Sequence, residues 1–150
     1  MQTFWKTISR PAAVILLALP LAIACRGPRH GIDNLTEAQI AERMADVAEF
    51  GLDSVDADDQ QIERVSGVLR GVAPDVVRFR TEHRALGAEL RAELSKDRVD
   101  PTRIEELRKR AVDLFDRASQ KGSETLVASA EVLTVEQRKE LAYKWEKYRD

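Results

Sequence analysis

Residues 59–94 read DQQIERVSGVLRGVAPDVVRFRTEHRALGAELRAEL, and the spacing of their apolar positions decides the fold. Ile62, Val65, Leu69, Val72, Val76, Phe79, His83, Leu86 and Leu90 follow one another at alternating steps of three and four, with His83 taking one apolar place. A strand would need a period of two; this period puts all of them on one helical stripe, the seam of a helix that packs along another helix. Pro74 falls inside the run. Proline lacks a backbone donor and clashes with the preceding turn, so a kink or short break is expected near Gly71 to Pro74, with the seam kept in register across it. Taken as one piece, the stretch is a rod of roughly 55 Å at the helical rise per residue.

On its C-terminal side, Lys96-Asp97-Arg98-Val99-Asp100-Pro101 spells a turn, with Asp100 as N-cap and Pro101 in the first position of the next helix. That helix carries Ile104, Leu107, Ala111, Leu114, Ala118, Leu126 and Val132, with Val112 and Phe115 widening its stripe and Gly122 in its interior. A last helix starts at Thr134 and carries Leu141, Trp145 and Tyr148. On the N-terminal side, a short helix is expected from about Thr36 to Phe50, with Ile40, Met44 and Val47 on one face and Gly51 as its stop. The expected fold is therefore all-α: four helices, of which helices 2 and 3 form a long antiparallel hairpin flanked by two short ones.

Three helix starts carry the same local chemistry. Thr36 and Gln39, Asp58 and Gln61, and Thr134 and Gln137 each have the spacing of a capping box, where the first side chain accepts from the N3 amide and the N3 side chain reaches back to the N-cap amide. Leu35 and Ile40 can staple the first box. At the third, Arg138 stands where the staple partner belongs, so Leu133 is expected to pack on another part of the protein.

The chain opens with MQTFWKTISR, basic and free of acids, followed by an apolar run that ends at Cys25. That is the layout of a secretory signal peptide over residues 1–24, too short and too interrupted by Pro20 for a membrane span. Ala22-Ile23-Ala24-Cys25 resembles the bacterial lipobox, and the resemblance implies lipidation of Cys25, the only cysteine of the chain. Arg26 follows it, which implies the outer membrane of the periplasm as destination. Residues 25–35 then form a lipid-anchored flexible tether, and 36–150 the helical domain. With 24 basic against 26 acidic residues, nothing offers nucleic acid the positive surface that phosphates require.

An exported chain of four helices with T-x-x-Q boxes opening its second and fourth resembles the Spy/CpxP family of periplasmic proteins, marked by LTxxQ repeats. Leu133, Thr134 and Gln137 spell the second motif. Ala57, Asp58 and Gln61 take the leucine, threonine and glutamine places of a degenerate first motif, in which Asp caps as Thr does. Leu35 to Gln39, although spelled in full, falls outside the family's register and reads as an ordinary capping box. The resemblance implies a cradle-shaped homodimer and a chaperone that works without ATP on unfolded envelope proteins. The alternative it implies is a sensor or regulatory subunit of an envelope-stress or heavy-metal response.

The residues favour no enzyme and no cofactor. Cys25 is spent at the anchor, His83 has no evident partner for nucleophilic work, and no glycine-rich phosphate loop occurs. His30, His83 and Met44 are too scattered for a metal site to be expected. The candidate surface for clients or for dimerisation is Val76, Phe79, Arg80, His83, Arg84, Leu86 and Arg91, apolar and cationic places alternating on the second helix. Arg103, Arg108, Lys109 and Arg110 crowd the third, interleaved with acids as a solvated face is.

Overall fold

The computed structural model describes residues 34–149. The signal segment 1–24, Cys25, His30 and the tether as far as residue 33 lie outside the described residues. Those described are all helical: α1 (Glu37–Asp53), α2 (Asp59–Arg70), α3 (Ala73–Leu94), α4 (Pro101–Ala130) and α5 (Val135–Arg149). α2 and α3 make one long bent helix, so the four expected helices are present and the first arm of the hairpin is bent. No helix among the described residues is long and apolar enough to cross a membrane.

The bend sits where proline requires it. α2 ends at Arg70, Gly71 keeps right-handed helical angles, and Pro74 falls in the first turn of α3, where its missing N–H has no partner to lose. The Val72 and Val76 amides donate to the Leu69 and Val72 carbonyls at 3.1 and 3.0 Å, so the backbone stays bonded through the bend. Val72, Ala73 and Val76 are buried on the same side as Val65 and Leu69, and the seam keeps its register.

α1 covers only part of that seam. Its Ile40, Met44, Ala48 and Leu52 recur every fourth residue and pack on Val65, Leu69, Val72, Ala73 and Val76, while Leu35, Ile62, Leu133 and Leu141 close the margin of the same core. Further along the hairpin, a second and smaller cluster holds Leu86, Leu107 and Leu114 with Phe79 at its side. His83 and Leu90 are exposed. The first half of the seam is thus consumed inside the chain, not offered along its whole length to a partner.

Gly51 does not stop α1. The helix runs on to Asp53 because Leu52, at 1 % exposure, gains more from the core than the glycine costs, and the Ser54 hydroxyl donates to the Gly51 carbonyl beyond it. The chain reverses two residues later at Asp56, whose φ of 53° is left-handed without being glycine.

Candidate functional site

Both family-like motifs come together at one end of the molecule. Asp58 caps α2, its carboxylate accepting from the Gln61 amide at 2.8 Å while Gln61 Oε1 accepts from the Asp58 amide at 3.1 Å. Thr134 and Gln137 repeat the arrangement at α5, at 3.2 and 2.9 Å. The two glutamines then meet across 76 residues of sequence: each Nε2 donates to the other's Oε1 at 3.0 Å. Gln61 also donates to the Val132 carbonyl at 3.1 Å and Gln137 to the Asp56 carbonyl at 3.4 Å.

The geometry explains the residue types. A capping glutamine uses its oxygen locally and keeps an NH2 group with two donors free to point outward, whereas glutamate would have no donor to offer. Asp58 in the threonine place supplies the same acceptor, so the departure from LTxxQ leaves the box intact. Ala57 and Leu133, the two leucine places, both pack at half-burial against the main core. Lys144 reinforces the junction by donating to the Ser54 carbonyl. The cluster is a clasp that fastens α5 and the end of α4 to the loop between α1 and α2. Gln39, by contrast, bonds within its own box to Thr36, at 2.9 and 3.2 Å.

The proposed client or dimer surface is less continuous than its sequence suggests. Val76 and Leu86 are buried, Phe79 is half-buried, and only His83, Arg84 and Arg91 are exposed. Arg80 is tied down, donating to the Leu35 carbonyl at 3.1 Å and so anchoring the entry of α1 onto α3. Arg78 lies over the Phe79 ring at 5.1 Å, with Arg117 of α4 at 6.0 Å on it as well.

What is exposed and apolar lies elsewhere. Leu90, Leu94 and Val99 surround the tip of the hairpin, and Val112, Phe115, Leu126 and Val127 run down the outer side of α4. The α4 group was partly legible: Val112 and Phe115 widen the stripe of that helix beyond what one neighbour can cover. Glu93 had no signal in the sequence. It is buried at 3 % exposure, accepts from Lys96 Nζ at 2.6 Å and from the Asp100 amide at 3.0 Å, and so holds the turn that Asp100 caps. The Lys96 ammonium and then that amide keep its carboxyl below the ordinary glutamate range.

Ion pairs join the two arms. Asp75 meets Lys121 at 3.2 Å, Glu82 meets Arg117 at 2.7 Å, and Glu89 takes both Arg103 and Arg110 at 2.6 Å. Hydrogen bonding by Arg117 lowers the pKa of Glu82, and that by Arg110 lowers the pKa of Glu89. Among the described residues no three His, Cys, Asp or Glu side chains stand together as a metal-holding group.

A protein-family model described as heavy-metal resistance matches residues 12–140. Neither a curated protein nor a solved structure matches the chain.

Proposed function

The chain belongs to the heavy-metal resistance family, a family of the Spy/CpxP-like LTxxQ type, and from that premise we propose that it is a periplasmic chaperone that holds unfolded envelope proteins without nucleotide. One observation carries the reading: large apolar side chains stand exposed along a charged helical hairpin, from Leu90, Leu94 and Val99 at its tip to Val112, Phe115 and Leu126 on α4. Interleaved charges hold an unfolded chain loosely, and the apolar places give it somewhere to rest. The reading includes no enzymatic role, cofactor or nucleic acid.

The family description favours a second reading, a sensor or regulatory subunit of a heavy-metal response that binds one specific partner. Aggregation assays separate the two. The purified chain from residue 26 onward is expected to suppress aggregation of two unrelated denatured proteins at a few-fold excess. Protection of neither would sink the chaperone reading.

The second part of the proposal is a homodimer through the outer stripe of α4. Val112, Phe115, Ser119, Gly122 and Leu126 repeat at steps of three and four on a flank of α4 about a quarter turn from Leu107 and Leu114, with Ser119 and Gly122 half-buried. An antiparallel copy lays Phe115 on the partner's Leu126, places the small Ser119 and Gly122 where the helices approach most closely, and brings Lys109 toward the partner's Glu131. A parallel copy would set Lys109 against its own like. Sedimentation is expected to show a dimer at micromolar concentration and a monomer for Phe115→Asp with unchanged helicity. A monomeric parent chain would remove the dimer from the proposal.

The anchor completes it. Lipidation of Cys25 would hold the protein at the outer membrane, and Cys25→Ser is expected to move it from the detergent phase to the aqueous one. Partitioning that ignores the substitution would rule the lipid out.

A further inference from the structure

The hairpin is held by two unequal means along its length. Near the bend, α2 and α3 share a core of nine buried residues with α1. Beyond Phe79, the only buried apolar side chains among the described residues of the arms are Leu86, Leu107 and Leu114. Two helices with three shared leucines make a marginal pair in water, because most helical stability comes from tertiary packing.

Ion pairs bridge the same stretch, and those that cross between the arms among the described residues have a single polarity. The acids Asp75, Glu82 and Glu89 are all on α3 at seven-residue steps, and the bases Arg103, Arg110 and Arg117 are all on α4 at the same step, with Lys121 one turn further. Each acid is fully engaged. Glu82 faces Arg117, which also holds Asp113, and feels Arg78 of its own helix. Glu89 faces Arg103 and Arg110, with Glu106 sharing Arg103. At the tip, Glu93 closes the turn through Lys96 and the Asp100 amide, with Arg103 nearby. One event, loss of charge on α3, releases every crossing pair among the described residues and leaves a row of like-charged arginines on α4.

We propose that the outer half of the α3–α4 hairpin is an electrostatically latched arm, opened by acid or high salt, and that its opening uncovers Phe79, Leu86, Leu107 and Leu114 for extended apolar segments of unfolded clients. The client half of this inference rests on the chaperone reading. Together with the exposed Leu90, Leu94 and Val99, the uncovered side chains form one apolar face between cations. The direction with pH follows from the carboxylates. The folded pKa values of Glu82, Glu89 and Glu93 lie below the ordinary 4.5, so the stabilisation these three give is complete above that value and is lost as pH falls through the folded one. Salt acts at any pH, because Glu82 and Glu89 are about a third exposed, at 38 % and 32 %, and open to screening.

Amide hydrogen exchange on the mature chain tests the latch without any client. In low salt at pH 7, Glu82→Gln with Glu89→Gln is expected to speed exchange over residues 82–114 by about ten-fold while residues 40–72 stay protected. The parent chain should show the same local acceleration in half-molar salt and, corrected for intrinsic exchange, a progressive one as pH falls below 4.5, whereas the variant should lose most of its salt response. Unchanged exchange in the arm, or equal acceleration in the core, would overturn the latch. The client half is read from aggregation at pH 7, where the variant should protect better than the parent. An arm that opens with no gain in protection overturns the client half and leaves the chaperone reading standing. Protection by neither chain overturns that reading and the client half together, and exchange alone then decides the latch.

Discussion

Leu52→Ala is expected to lower the stability of the folded chain by about 2–5 kcal/mol, the cost of removing a fully buried leucine and leaving a cavity. Leu52 is 1 % exposed in the last turn of α1, within the core that joins α1 to α2 and α3. The same core is tightly closed: Ala48 has no exposed surface at all, and Val65 is itself 1 % exposed. Leu94→Ala is the control. That side chain is 58 % exposed at the tip, so its loss should change stability by less than about 0.5 kcal/mol. Urea denaturation measures both, and the midpoint should move with little change in slope. A cost for Leu52→Ala no greater than that for Leu94→Ala would mean that α1 does not pack where it is described.

The clasp gives the second large effect. Gln61→Ala and Gln137→Ala are each expected to cost about 1–2 kcal/mol, because each removes a capping-box bond at a helix start together with the bonds across the clasp. The double substitution should cost less than the sum by about 1 kcal/mol, since either change alone already destroys the reciprocal bond. Trp145, half-buried on α5, is the only tryptophan after Cys25 and so reports on that helix. Its emission should shift to longer wavelength in either variant, as α5 loosens. Strictly additive costs with unchanged emission would show that the glutamines only cap their own helices.

Sequence periodicity reaches the fold more easily than the surface. The seam from Ile62 to Leu90, the break at Pro74 and the Asp58 and Asp100 caps are local matters, settled by a few neighbouring residues, and the structure has each where the spacing puts it. Burial along the seam is not local. Whether Val76 or His83 is covered depends on how far the N-terminal end of α1 reaches along α3, and that end is held where Arg80 donates to the Leu35 carbonyl.

The same limit applies to the charges. Arg103 and Arg110 read as a solvated face until the turn at residues 95–100 sets the register that brings them to Glu89. Arg80 reads as one cation of a client or dimer surface, yet the carbonyl it holds belongs to a residue 45 positions away. The meeting of Gln61 with Gln137 depends on the combined length of α2, α3 and α4, which no motif encodes.

Client binding itself can be measured most directly by titrating the mature chain into a fluorescently labelled protein kept unfolded by substitution, beside its folded parent, with no nucleotide present. Saturable binding to the unfolded form of two unrelated proteins, with none to the folded forms, is the expected result. Binding to neither unfolded protein, or binding confined to one folded partner, would contradict the chaperone reading and favour the regulatory one.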